Sequence, residues 1–288
     1  MQRQWRFVNT GRSSAASNMA IDEAMLLTHE AGVSPPTLRV YSWEVPTLSL
    51  GYAQKTSREV NLAACQQHGV ALVRRPTGGR AVLHDQEVTY SVVLPTALAH
   101  GHNTLTEHYR LIGAALVAAL QRLGVPVHLE RLQRRSHPRR EIPSSACFAA
   151  LARYELSVNG KKIVGSAQKR LQRSLLQHGA VPLWMDRQRL LQCLHVPSER
   201  LGTLVQEAYA AMTAVNENTA TPVCADALQE ALREAFAASF EIELVAGPLL
   251  PEERRLAREL QTSKYDTPRW NLEGAAAWRQ QNRSGPPE

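Results

Sequence analysis

No apolar run in this 288-residue chain approaches the roughly 18–20 residues that cross a bilayer, so no helical membrane span is expected and no membrane partner. The amino terminus, Met1-Gln2-Arg3-Gln4-Trp5-Arg6, is not followed by the uninterrupted apolar stretch of a signal peptide. Cytoplasmic residence is the default expectation. Cysteine is scarce: Cys65, Cys147, Cys193 and Cys224 are the four present, and none forms a C-x-x-C pair, which argues against a zinc site or a dithiol motif. In a reducing compartment all four should be free thiols. Cys65, Cys193 and Cys224 fall in helix-like stretches and read as small core residues. Aromatic residues make up only 6%; with no zinc finger, no RNA-recognition motif and no arginine-lined helix, nucleic acid is not an expected partner. Internal repeats and linkers are also missing. With 44% hydrophobic residues, the chain reads as one globular domain with a real core.

The balance of charge is basic, +7 with a sequence pI near 9.5, which implies acidic partners. The densest basic run is Arg131, Arg134, Arg135, Arg139 and Arg140, broken by His137 and Pro138. It reads either as a solvated loop or as a docking patch for an acidic carrier protein, whose association would weaken with salt.

Helical and strand patterns alternate along the chain. Ser17-Asn18 can cap a helix over residues 19–27, and Thr56 with Glu59 forms a capping box for a helix ending near Gly69. Thr104 with Glu107 opens the longest helix, with Leu105, Tyr109, Ile112, Leu116, Ala119 and Leu123 at helical spacing and Gly124 closing it. Strand-like runs occupy residues 38–41, 47–50, 70–73, 81–83, 88–93 and 175–183. Asn159-Gly160 is the favoured two-residue hairpin turn between residues 154–158 and 162–164. A helix follows over residues 225–236, then a short strand near 240–244. The fold class expected is α+β: a single domain with a mixed, largely antiparallel sheet flanked by helices. The domain should span residues 1–275 with its core at about 33–248, and residues 276–288 should form a disordered tail.

One stretch stands apart: Arg74-Arg75-Pro76-Thr77-Gly78-Gly79-Arg80-Ala81-Val82-Leu83-His84-Asp85. Gly78-Gly79 permits a sharp turn and close approach of backbone to a ligand, and the arginines set permanent charge beside it. No Gly-Lys-Ser/Thr follows, so this is not the phosphate loop of nucleoside triphosphatases. Taken alone, most Gly-Gly pairs are ordinary hairpin loops. Cys147 is the other chemical candidate. A thiolate exchanges acyl groups with thioesters at little energetic cost, and neighbouring Lys161, Lys162 or the arginine loop could favour the ionised form. From position alone it could equally be a structural thiol.

Taken as a unit, the twelve residues resemble the signature of the lipoate/biotin protein ligase superfamily, especially its cofactor-free octanoyltransferase branch of the LipM type. Further segments are similar to that family: Asn18-Met19-Ala20-Ile21-Asp22-Glu23, Cys147-Phe148, Tyr154-Glu155-Leu156, Gly160-Lys161-Lys162-Ile163-Val164-Gly165-Ser166-Ala167-Gln168, Leu176-Gln177-His178-Gly179, and Lys264-Tyr265 with Trp270-Asn271. They occur in the family's order across residues 5–271.

The resemblance implies a synthetase-like catalytic domain that moves an octanoyl group from acyl carrier protein to a lysine of a lipoyl domain, such as the glycine cleavage H protein or the E2 subunit of a 2-oxoacid dehydrogenase. It implies that Cys147 carries the acyl group as a thioester and that Lys162 orients the acyl carbonyl. Arg75, Thr77, Gly78, Gly79, Arg80 and His84 would shape the carbonyl end of the pocket, together with the strand residues Gly165, Ser166 and Ala167. Tyr41, Gly51 and Leu50 would line an acyl tunnel, although Leu50 also reads as core. His178 is either a base for the incoming lysine or a buried structural histidine. No metal, ATP or prosthetic group is expected, because a thioester arrives already activated; a monomer is expected. ATP-dependent lipoate ligases share the lysine motif but typically carry a third glycine where this chain has Arg80, and an Arg-Asn-Asp segment where it has Cys147-Phe148. The amidotransferases that move octanoyl groups between lipoyl domains usually have Ser-Gly-Gly-Leu at the loop.

Overall fold

Strict alternation along the central strands decides how the layers stack. In the computed structural model, which describes residues 4–98, 104–131 and 154–283, the chain order is β1 (Gln4–Ser13), α1 (Ala15–Glu30), β2 (Thr37–Trp43), β3 (Thr47–Leu50), α2 (Thr56–Glu59), α3 (Leu62–Gln67), β4 (Ala71–Arg74), β5 (Val82–His84), β6 (Glu87–Pro95) and α4 (Thr104–Arg122). It continues through β7 (His128–Arg131), β8 (Tyr154–Val158), β9 (Lys161–Lys162), β10 (Gly165–Arg170), β11 (Ser174–Pro182), α5 (Arg187–Gln192), α6 (Leu201–Ala211) and α7 (Ala225–Phe240). It closes with β12 (Glu243–Ala246), α8 (Pro251–Leu260), two π-helical turns (Gln261–Tyr265 and Arg269–Glu273) and α9 (Ala275–Arg283).

Six strands form the main sheet in the order β10-β11-β6-β2-β1-β12. The pairs from β10 to β2 are antiparallel, and β1 runs parallel to both β2 and β12. This is the mixed, largely antiparallel α+β architecture expected. Val88, Tyr90, Val92 and Leu94 of β6 turn to one face, where Ile112 and Leu116 of α4 and Leu228 and Leu232 of α7 cover them. Val93 joins the opposite face with Met19, Ala20 and Met25 of α1. Residues two apart share a face of a strand, so Tyr41, Thr89 and His178 point toward the α1 side, where the candidate site forms. A small sheet, β4-β3-β5, carries the Gly-Gly loop between β4 and β5. A third, β7-β8-β9, contains the Asn159-Gly160 turn with both residues at positive φ, as a type I′ turn requires.

Several local readings shift. Ser14, not Ser17, caps α1 through its side chain. The single helix expected from Thr56 breaks into α2 and α3, because Val60 bridges to Leu194 and Asn61 caps a fresh start. The core extends beyond residues 33–248: Ala16, Met19 and Leu26 pack with Ala257, Tyr265 and Trp270 of the carboxyl-terminal segment. Residues 276–283, expected in a disordered tail, instead continue as α9, where Trp278 stacks edge-on against Trp270. Cys65 and Cys193 are buried as expected, but Cys224 is exposed, since it precedes the first turn of α7. No helix among the described residues is long and apolar enough to cross a membrane.

Candidate active site

The Gly78-Gly79 turn is seated on Gly51. A Cβ placed on Gly51 would lie 2.0 Å from the Gly79 carbonyl oxygen, far inside van der Waals contact. Gly79 itself sits at φ +94, a region L side chains rarely adopt. Arg75 braces the turn from beneath: Nη2 donates to the carbonyls of Gly78 (3.0 Å) and Arg80 (2.9 Å), while Nη1 donates to the Ser49 carbonyl (2.8 Å) and Oγ (2.7 Å). Arg74 is fully buried and ties the same loop to the carboxyl-terminal segment. It donates to the carbonyls of Trp270, Gly51 and Gln54 and to Thr56 Oγ1, and the Trp270 indole donates back to its carbonyl. Arg80 remains half-exposed at the rim, 3.8 Å from Glu59.

Two buried imidazoles flank the loop, each between a hydroxyl and a carboxylate. His178 Nδ1 lies 2.8 Å from Asp22 Oδ2, and Nε2 lies 2.7 Å from Thr77 Oγ1. Burial alone would raise the Asp22 carboxyl, but the Arg39 guanidinium and the bonds from His178 and Tyr41 outweigh it and hold the group below its usual range. Burial pushes the His178 imidazole down, and Asp22 only partly offsets this. Neutral His178 therefore donates from Nδ1 to Asp22, and Nε2 accepts from the Thr77 hydroxyl. His84 repeats the pattern: Nδ1 lies 2.8 Å from Glu87 Oε1 and Nε2 lies 2.7 Å from Ser49 Oγ. Ser49 Oγ also accepts from Arg75, so the hydroxyl links the His84 ring to the arginine that braces the loop. The His84 ring stacks on Trp43 at 4.2 Å, and the Trp43 indole donates to Thr89 Oγ1.

Between these groups lies a cleft of about 310 Å³, counting the space open at its mouth. Of the sequence-predicted residues, Tyr41, Arg75, His84, Gly165, Ser166, Ala167 and His178 line it. Thr77, Gly78, Gly79 and Arg80 form the adjoining loop, and Gly51 lies behind that loop rather than on the cleft wall. Tyr41 is buried with its hydroxyl donated to Asp22 at 2.9 Å, so it contributes ring surface and no free polar atom. Trp43, Val82, Thr89 and Ala180 also line the cleft. Sequence reasoning passed over them; strand alternation from Tyr41 and His178 was the signal that marks Trp43 and Ala180.

Lys162 lies in a neighbouring recess under α4, with Nζ 2.9 Å from Glu155 Oε1 and the side chain 8% exposed. Leu116, Gln177 and Ser166 line that recess. Ser166 borders both cavities, and its hydroxyl meets Tyr90 OH at 2.8 Å. Cys147 lies outside the described residues, as does most of the arginine-rich stretch following Arg131. Asp22 and Ser49 are not singled out by the sequence, because each meets its histidine across the fold, His178 and His84; Glu87 lies only three residues beyond His84, in the segment that follows the loop.

An apolar cleft between an antiparallel sheet and a Gly-Gly turn, held by buried imidazole–carboxylate pairs, defines a class. The chain belongs to the family of lipoyl protein ligase A/B catalytic domains, whose model it matches over residues 14–237. Within that family it is similar to the protein named Octanoyltransferase LipM from Kyrpidia tusciae, 43% identical over 269 residues, covering 93% of this chain and 98% of that one. It is likewise 38% identical over 275 residues to Octanoyltransferase LipM of Bacillus subtilis, covering 94% and 99%. Among solved structures it resembles the bi-partite lipoate protein ligase of Thermoplasma acidophilum, with a TM-score of 0.79 and 25% identity over 94% of this chain and 97% of that one. A lipoate-protein ligase A solved with bound ATP is also similar, with a TM-score of 0.75 and 26% identity over 94% and 99%.

Proposed function

We propose that this chain is an acyltransferase that moves an octanoyl group from acyl carrier protein to a lysine of a lipoyl domain, through a thioester on Cys147. One observation carries the reading: a cleft largely apolar in its walls, whose imidazoles and Tyr41 hydroxyl are already paired within the protein, in a chain similar along 93% of its length to proteins named Octanoyltransferase LipM. A largely apolar wall favours a hydrocarbon chain over a nucleotide, because burying unpaired polar ligand groups is costly.

In the first half-reaction the Cys147 thiolate attacks the carbonyl carbon of the donor thioester. The new C–S bond forms as the carrier's C–S bond breaks; the carrier leaves as a thiolate and takes up the proton that Cys147 released on ionising. In the second, the neutral amine of the acceptor lysine attacks the acyl-enzyme carbonyl. The amide C–N bond forms, the bond to Cys147 breaks, and the amine's surplus proton returns to the thiolate. Lys162 orients the acyl carbonyl in this reading; it is paired with Glu155 in the recess that Ser166 shares with the cleft. Burial, which lowers the His178 imidazole, favours its neutral form beside the acyl group. The incoming thioester supplies the activation, so no step calls for ATP, a metal or a prosthetic group. Arg80 in place of a third loop glycine favours this reading over adenylate formation.

The test is to mix the protein with octanoyl-acyl carrier protein and a lipoyl domain in the absence of nucleotide, and follow the acceptor's mass. Gain of one octanoyl group on the acceptor is expected. Transfer that appears only with free octanoate and ATP would instead make the chain a ligase.

A further inference from the structure

The cleft does not close on a thick wall. Where β5 meets β11, Val82 and Ala180 line both the cleft and a second hollow of about 380 Å³, counting the space open to solvent. Both side chains are small and buried, 5% and 2% exposed. Leu83, Pro182, Met185, Leu190 and half-exposed Trp184 wall the chamber behind them. All three carboxylates that line it are engaged, Asp85 and Asp186 by Arg189 at 3.2 and 3.3 Å and Glu87 by His84 at 2.8 Å, so the surface left to a ligand is chiefly apolar. Nothing in the transfer reaction uses it.

We propose that Val82 and Ala180 set the length of acyl chain the enzyme accepts, and that the chamber behind them receives additional methylenes once that floor is pared back. The inference rests on the acyl-transfer reading. In this reading the carbonyl end of a bound acyl group faces Gly165 and Ser166, and the methyl end runs over the face made by Trp43 and Thr89, which are hydrogen-bonded to each other, toward Val82 and Ala180. An isopropyl group and a single methyl stand between the two spaces, so loss of two carbons at Val82 joins them. Growth at Ala180 shortens the first. A single methylene misfit in an apolar pocket changes discrimination by on the order of tenfold, so small changes here carry a readable effect.

The experiment offers wild-type protein an equimolar mixture of octanoyl- and decanoyl-acyl carrier protein and reads the two products by mass. Val82→Ala should shift the ratio toward decanoyl by about tenfold or more. In a matching competition Ala180→Leu should favour hexanoyl over octanoyl to a similar degree. Leu190→Phe lies only in the rear chamber; added to Val82→Ala, it should return the ratio to the wild-type value by filling that space. Thermal melts confirm that each variant is folded. Products formed at unchanged ratio in Val82→Ala, or a ratio that Leu190→Phe fails to restore, overturn this proposal alone. No product from the wild-type protein overturns the acyl-transfer reading and this proposal with it.

Discussion

Gly51 shows how much of a site is held by residues that never touch a ligand. The family resemblance implies a place for it in an acyl tunnel, yet the structure uses its missing side chain to let the Gly79 carbonyl approach. Gly51→Ala should therefore displace the loop, lowering transfer at least tenfold and the melting temperature by several degrees. Gly78→Ala, with nothing within 4 Å of the added carbon, should melt close to wild type; the pair of melts separates the two roles. Asp22 is a second such residue. It anchors His178 on one oxygen and lies 2.6 Å from fully buried Arg39 on the other. Asp22→Asn leaves that guanidinium uncompensated, which should destabilise the fold by roughly 3–5 kcal/mol, measured by urea unfolding. The histidines were legible as candidates because their residue type announces chemistry. Their partners were not, since Asp22 and Thr77 meet His178 only through the tertiary fold.

At the scale of elements, helical periodicity made α4 and α7 readable, and turn chemistry the Asn159-Gly160 hairpin, because the forces that specify them are local. The split between α2 and α3 was unreadable for the opposite reason: it is imposed by the bridge from Val60 to Leu194, far along the chain. The carboxyl-terminal segment makes the same point with larger consequences. Lys264-Tyr265 and Trp270-Asn271 were visible as a motif, but their work is to clamp. Lys264 Nζ and Tyr265 OH both bond Glu23 of α1, at 2.5 and 2.7 Å, and Asn271 Oδ1 accepts from the Arg74 backbone at 2.8 Å. Trp270→Ala removes a fully buried ring that also satisfies Arg74. It should cost about 3–5 kcal/mol and lower transfer by displacing the strand that feeds the Gly-Gly turn. Chemical denaturation and steady-state rates check the two effects separately.

Across the whole molecule, the buried charges of α1 bind stability to pH. Burial would raise the Glu23 carboxyl, but Lys264 and Lys169 outweigh it and hold it down to about 2. A depressed carboxylate stabilises the folded state fully above its unfolded value and loses that contribution as pH falls through the folded one. Glu23 and Asp22 both act in this sense. His178, kept neutral by burial, adds to it below about pH 6.5, because the unfolded chain takes up a proton there that the folded chain resists. Stability should therefore fall steadily from pH 6.5 toward pH 2, and Glu23→Gln should flatten the lower part of that curve in denaturant titrations. The basic charge balance and the nearly full-length similarity to the LipM proteins bear on partners; the proposed chemistry rests on a single sulfur. Its most direct test is intact-mass analysis of the protein after exposure to octanoyl-acyl carrier protein without nucleotide. The account predicts one added octanoyl group, released by hydroxylamine and absent from Cys147→Ala. A Cys147→Ala protein that still takes up the label, or still acylates its acceptor at the wild-type rate, would contradict it.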